Sequence, residues 1–407
     1  METHINSSLE KTPEIAEAEA ILRSCVHCGF CTATCPTYQL LGNELDSPRG
    51  RIYLIKEMLE RGEASIETRQ YLDRCLLCRA CESTCPSGVR YSRLLHTGRH
   101  LAHRLAPASL SERGLKSLLK ALLPYPKRLA PLLSVARKLR PILPTSLKSK
   151  IPAPNDFRQE NNIPEIQTRK VVLFQGCVQS VVAQSINHAT QNVLQRLGIQ
   201  TCTAKNEGCC GAVHHHLDDK KRAQIMAKNN LDQWWKHIEQ GAEAVIFTAS
   251  ACALEAREYP LLFSENKEYR DKSQQILPYL MEIEAFISAQ NLTALTISET
   301  APSISFHAPC TLQHGLQASG RTESLLRALG FHIHEPDDVH LCCGSAGTYS
   351  ILQPKLSLML RDNKLEHLQQ SGADVIASAN IGCLMHLQGG TSQPVKHWIE
   401  WLDQYCV

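Results

Sequence analysis

The chain has 407 residues, with 43 Lys plus Arg against 40 Asp plus Glu and a net charge of +3, too even a balance for nucleic acid to be a bulk partner. That length fits two to three domains with sizeable cores. No apolar run reaches the length of a membrane-spanning helix, and Met1 to Ala20 is acidic and polar with no apolar centre, which predicts no secretory signal and keeps the 18 cysteines reduced.

Glu14 to Ser24 predicts a helix, with Ile15, Ala18, Ile21 and Leu22 on one face. It delivers Cys25-Val-His-Cys28-Gly-Phe-Cys31-Thr-Ala-Thr-Cys35-Pro36, a C-x2-C-x2-C-x3-C-P run. A second copy, Cys75-Leu-Leu-Cys78-Arg-Ala-Cys81-Glu-Ser-Thr-Cys85-Pro86, places each cysteine 50 residues after its counterpart (75−25, 78−28, 81−31, 85−35). This is the spacing of two [4Fe–4S] clusters, in which the last cysteine of each run crosses to the other cluster. It predicts Cys25, Cys28, Cys31 and Cys85 on one cluster and Cys35, Cys75, Cys78 and Cys81 on the other. Zinc takes four ligands in two pairs and asks for no third and fourth cysteine in each run. Between the runs, Arg49 to Arg61 predicts a helix with Ile52, Ile55, Met58 and Leu59 on one face. Strand patterns are absent, so residues 1–100 read as an α-helical ferredoxin domain.

Residues 101–167 read as a basic, proline-interrupted helical linker. Between Arg113 and Lys150 there are ten Lys or Arg and no acidic residue, with leucines at helical spacing (Leu115, Leu118, Leu119, Leu122, Leu123) and prolines at 124, 126, 131, 141 and 144 breaking the segment into short pieces. Two readings stay open: a linker packing its leucines on a neighbouring domain, or a basic amphipathic contact with an acidic membrane or a partner subunit.

After Arg169 strands and helices alternate. Lys170 to Phe174, Ile199 to Thr203 and Glu243 to Ala249 predict strands, with a helix over Asp218 to Gln240; the same order returns at Ser303 to His307, Phe331 to His334 and Asp374 to Ser378. The pattern predicts two α/β, Rossmann-like units over 168–300 and 301–407. Cysteines repeat with them: Cys177, Cys209, Cys210 and Cys252 are answered by Cys310, Cys342, Cys343 and Cys383, at offsets of 133, 133, 133 and 131, marking an internal duplication. Adjacent thiols followed by Gly211 or Gly344 suit a loop wrapped round a metal centre.

These Cys-Cys-Gly repeats resemble the CCG, or cysteine-rich, domain of heterodisulfide reductase-type and glycolate, lactate and glycerol-3-phosphate dehydrogenase subunits. With the N-terminal cysteine runs, and with Ser47-Pro-Arg-Gly-Arg-Ile-Tyr53 and Leu341-Cys-Cys-Gly-Ser-Ala-Gly-Thr-Tyr349, nearly the whole chain resembles the glycolate oxidase iron–sulfur subunit family. The resemblance implies an electron-transfer subunit of an oxidoreductase complex whose acceptor is neither NAD nor oxygen. FAD would sit on the partner only, in a glycolate-oxidising subunit accompanied by a further flavoprotein-like subunit. A quinone or another membrane electron acceptor would receive the electrons, and the complex would be cytoplasmic, attached peripherally to the inner face of the membrane. Full CCG motifs end in C-x2-C, whereas Ala249 precedes Cys252 and Asn380 precedes Cys383. Three readings of the repeats therefore stand: a further iron–sulfur cluster in them, a docking fold with residual cysteines, or a site shared between the halves.

No Gly-x-Gly-x-x-Gly follows a strand, and neither a P-loop nor HExxH occurs. The chain has no means of its own to take a hydride, and a relay is the coherent reading. The competitors are the same relay serving lactate or glycerol 3-phosphate, a heterodisulfide reductase-like subunit, and a zinc-bearing nucleic-acid module. His214-His215-His216 is open between a polar loop and a metal or proton role, and Cys202 and Cys406 read as packed thiols.

Overall fold

A computed structural model describes residues 1–9, 12–140 and 168–407. The N-terminal unit is helical, and among the described residues the first strand begins at Arg169. Local signals set its helices. Thr12 caps Pro13–Ser24 by accepting from the Ile15 N–H, with proline at the first helical position, and Ala18, Ile21 and Leu22 are buried. Ser47 does the same for Pro48–Arg61, which buries Ile52, Ile55, Met58 and Leu59 and stops at Gly62 in the left-handed region. These two helices pack with Tyr91–Leu105 around one apolar core. Pro36 opens a further short helix, Pro36–Leu41.

The basic segment forms two helices, Leu110–Leu122 and Pro126–Leu139. Pro131 lies inside the second without breaking it. The carbonyl it leaves without a helical partner belongs to Lys127, which is exposed, so water can take it. Leu119 is buried, whereas Leu110, Leu115, Leu118, Leu132 and Val135 are exposed. The part of the basic stretch from 141 onward lies outside the described residues.

The C-terminal half contains two four-stranded parallel sheets of identical topology. The strands are β1 (Arg169–Leu173), β2 (Ile199–Cys202), β3 (Val245–Phe247), β4 (Leu280–Glu282), β5 (Ile304–His307), β6 (Ile333–His334), β7 (Val375–Ser378) and β8 (Val395–His397). The orders are β2-β1-β3-β4 and β6-β5-β7-β8. The edge strands β4 and β8 were not expected: each is only three residues long. One core joins the sheets, with Leu173 and Ile246 of the first in the same cluster as Ile304, Ile376 and Trp398 of the second. Cys406 is buried in that core, and Cys202 packs against the first sheet's own core. Between the repeats, His397 donates from Nε2 to the Thr248 carbonyl at 2.8 Å, and Arg196 pairs with Asp403 at 2.9 Å. Among the described residues no helix is long and apolar enough to cross a membrane.

Candidate metal centres

The backbone bends both cysteine runs in the same way. His27 and Gly29 in the first run, and Leu77 and Arg79 in the second, all have positive φ, at 56°, 87°, 56° and 64°. Such turns gather N–H groups into a concavity that suits an anion. Leu77 and Arg79 adopt them against their steric preference, by about 1–2 kcal/mol each.

Two cavities open between the loops. The first is lined by Cys25, Cys28, Cys31 and Cys85. Cys35, Cys75, Cys78 and Cys81 line the second. The last cysteine of each run thus faces the cavity of the other run. Cys81 borders both cavities, and the thiols acting on it are Cys78, Cys75 and Cys35. Burial and neighbouring thiols push Cys31 up to about 11 and hold Cys78 and Cys81 well above the ordinary thiol value. Four thiols converging on one cavity coexist as thiolates only around strong positive charge, so the donor set fits an iron–sulfur cluster in each cavity.

Cations that sequence reasoning left without a role border these cavities. Arg49 lines the first. Arg51 lines the second and is fully buried, donating to the Tyr71 carbonyl at 2.8 Å, to Thr37 Oγ1 at 3.0 Å and to Asp46 at 3.1 Å. Both belong to the Ser47–Arg51 stretch, whose alternation of arginine and glycine was the visible signal. Gly50 is required there, since a Cβ would lie 2.0 Å from the Glu44 carbonyl oxygen.

In the repeats, the thiols gather within each half. Cys177 and Cys209 are 3.3 Å apart, and hydrogen bonds continue the row to Cys210 and Cys252. In the second half Cys310 and Cys342 are 3.8 Å apart, and the row continues to Cys343 and Cys383. Gly211 and Gly344 have φ of 98° and 83°, and each amide donates to the Sγ two residues earlier at 3.5 Å. Mutual hydrogen bonding raises Cys177 and Cys210 and lowers Cys209 between them. In the second half a ring nitrogen of His307 lies within 4.8 Å of the Cys343 and Cys383 sulfurs, as they do of each other.

The ferredoxin unit touches both repeats. Leu76 and Cys78 pack with Cys310, Cys342 and Tyr349, and Tyr349 Oη donates to the Arg74 carbonyl at 3.1 Å. Arg79 pairs with Glu258 at 2.6 Å. The histidine trio is not a free loop: it lies in the helix Ala212–His216, where His215 and His216 stack with His96 at centroid distances of 4.7 and 5.7 Å. Burial pulls His215 down, but the Glu255 carboxylate at 2.9 Å more than offsets it, and the net shift is upward.

This arrangement defines an iron–sulfur protein in which a dicluster unit is fused to paired cysteine-rich units. The family described as "4Fe-4S dicluster domain" matches residues 21–89, and "Cysteine-rich domain" matches 171–256 and 304–388. The glycolate oxidase iron–sulfur subunit of Escherichia coli strain K12 is 43% identical over 404 residues, covering 99% of each chain, and the chain belongs to that family. A probable glycolate oxidase iron–sulfur subunit of Bacillus subtilis strain 168 is 29% identical, over 91% of this chain and 89% of its own. A crystal structure of a hypothetical protein from Helicobacter pylori shares the fold, with a TM-score of 0.56 at 10% identity over 98% of this chain and 72% of that one.

Proposed function

We propose that this chain is the electron-transfer subunit of a glycolate-oxidising complex and itself performs no chemistry on the substrate. The observation that carries the reading is the pair of cysteine-lined cavities, each bordered by three cysteines of one run and the last of the other, with Cys81 also on the edge of the first. Cys25, Cys28, Cys31 and Cys85 hold one [4Fe–4S] cluster, and Cys35, Cys75, Cys78 and Cys81 hold the second. Such clusters supply one-electron transfer, and a flavin converts the two electrons of 2-hydroxy-acid oxidation into single steps.

The chain's own residues set the conditions. Inward-turned backbone around His27, Gly29, Leu77 and Arg79 offers N–H groups to anionic sulfurs. Arg49 and Arg51 place cations beside the two cavities, which favours the reduced, more negative state of each centre. Glycolate as the partner's substrate, FAD on that partner, a further flavoprotein-like subunit, a quinone-type acceptor and peripheral attachment to the membrane complete the reading. The 43% identical relative's name supports glycolate oxidation by a partner subunit, and the exposed leucines and cations of the 110–139 helices suit the attachment.

The test is anaerobic. The purified chain should contain about eight irons in its ferredoxin unit and show two interacting [4Fe–4S] signals by EPR after reduction. Glycolate should reduce them only when the partner flavoprotein is added. Reduction by glycolate without a partner, or a colourless zinc protein, would sink the reading.

A further inference from the structure

The phenol of Tyr91 has no acceptor in the polypeptide. Three tyrosines are buried among the described residues, Tyr91, Tyr259 and Tyr349. Tyr259 Oη donates to the Cys210 carbonyl at 2.7 Å and Tyr349 Oη to the Arg74 carbonyl at 3.1 Å. Tyr91 is 4% exposed, and its Oη is buried without a hydrogen-bond partner. A buried tyrosine hydroxyl ordinarily finds an acceptor, because leaving the bond unmade gives up hydration for nothing.

The place of the ring shows where an acceptor would lie. Pro48, Cys81 and Tyr91 border both cysteine-lined cavities. Proline has no hydrogen to give and Cys81 is assigned as a ligand, so Tyr91 is the one side chain of the three free to donate. The thiols acting most strongly on its hydroxyl are Cys75, Cys81 and Cys35, three of the four ligands assigned to the second centre. Elsewhere along that cavity the polar groups are committed. Thr37 donates to the Asp46 carbonyl at 2.8 Å, Arg51 is tied to Tyr71, Thr37 and Asp46, and Arg79 pairs with Glu258. No other side-chain oxygen or nitrogen lining the second cavity is both buried and unpartnered. Burial, and after it Cys75, pushes the Tyr91 phenol up, so it keeps its proton and remains a donor.

We propose that Tyr91 sets the potential of the centre on the Cys75 run, its Oη–H donating to a sulfur of that cluster. A hydrogen bond given to a cluster sulfur strengthens as the cluster gains negative charge, so it raises the potential of the centre that accepts it. Tyr91 thereby draws the electron shared by the two centres towards the end of the relay that packs against Cys310 and Cys342. The phenol keeps its proton throughout, and the electron passing between the centres makes and breaks no bond. This inference rests on the relay reading, but its failure can be told from the failure of that reading.

The experiment uses the full chain, purified without air, with the two [4Fe–4S] signals followed by EPR through a redox titration and proton ENDOR recorded in H2O and in D2O. Tyr91→Phe removes one oxygen that holds no protein partner, so the fold and both signals should stay. It should delete one exchangeable proton coupling from the Cys75-run signal and lower that centre's potential alone. The electron's distribution between the centres should move about tenfold towards the Cys25 run, the worth of one hydrogen bond to a charged group. Tyr349→Phe, whose hydroxyl is committed to the Arg74 carbonyl, should leave the coupling in place. An unchanged coupling and potential in Tyr91→Phe, or an equal shift of both centres, would overturn the proposal. Loss of the signals in Tyr91→Phe alone would overturn it too, by making the hydroxyl a requirement of assembly. A wild-type chain with neither [4Fe–4S] signal would instead overturn the relay reading, and this inference with it.

Discussion

Arg51 donates to the Asp46 carboxylate at 3.1 Å with both side chains 1% exposed, and Arg74 reaches the other carboxylate oxygen at 3.2 Å. Burial opposes the Arg51 charge, yet nearby Cys75, Tyr91, Cys35 and Asp46 hold it protonated, and its pKa is raised. Arg51→Gln leaves Asp46 with only its half-exposed partner. The expected loss is about 3–5 kcal/mol of stability, the usual cost of breaking a buried pair from one side, read as a lower urea midpoint. Removing the cation also makes electron gain harder, so the midpoint potential of the centre bordering Arg51 should fall. A variant with wild-type stability and potential would show that the pair does neither.

The crossing of the last cysteines gives a clean selective test. Cys35→Ser should remove the centre built on Cys75, Cys78 and Cys81 and leave the one built on Cys25. Cys85→Ser should do the reverse. Each should lower the ferredoxin unit's iron from about eight to about four per chain. If Cys35→Ser silences the signal assigned to the Cys25 run, the ligand sets are wrong.

Gly211 and Gly344 look alike in sequence and differ in space. A Cβ at Gly344 would lie 2.6 Å from the Ser357 carbonyl oxygen, while at Gly211 the matching contact, to the Ala223 carbonyl, is 3.2 Å. Both have positive φ, so alanine at either costs about 1–2 kcal/mol. Gly344→Ala adds a backbone clash, and should be the more damaging of the two in thermal unfolding. Equal losses would show that the helix beneath Gly344 yields.

His397 should make the join between the repeats acid-sensitive. Its Nε2 donates to the Thr248 carbonyl and its Nδ1 accepts from the Ile399 N–H at 3.2 Å, so the neutral ring is the one that fits. Burial pulls its pKa down to about 3, from an ordinary 6.5. Below pH 6.5 the unfolded chain binds a proton that the folded chain refuses, so stability is lost as pH falls from about 6.5 towards 3. One such proton amounts to about 1.4 kcal/mol per pH unit. Urea midpoints at pH 7.5, 6 and 5 should fall more steeply for the wild type than for His397→Gln; parallel lines would remove His397 from the account.

The ferredoxin helices and the two cysteine runs could be read early because their signals are local: cysteines three or four residues apart, and apolar faces at helical spacing such as Ile52, Ile55, Met58 and Leu59. The duplication was equally visible in cysteine offsets. β4 and β8 were missed because three residues such as Leu280-Met-Glu282 are too short to show a strand period and become strands only by pairing with β3 and β7. Pro131 misled because its missing bond falls on an exposed turn. His307 carries no local signal beyond standing three residues before Cys310: its tie to Cys343, Cys383 and Ser378 exists only once β5 and β7 lie side by side. The His96 stack likewise needs a helix of one unit to meet a helix of another.

Cys28 is exposed, with Val26 and Phe30 beside it 69% and 60% exposed, while Cys78 lies covered by the second repeat. Clusters held in the two cavities would meet oxygen unequally: bleaching in air should begin at the Cys25 run, before the Cys75 run is touched.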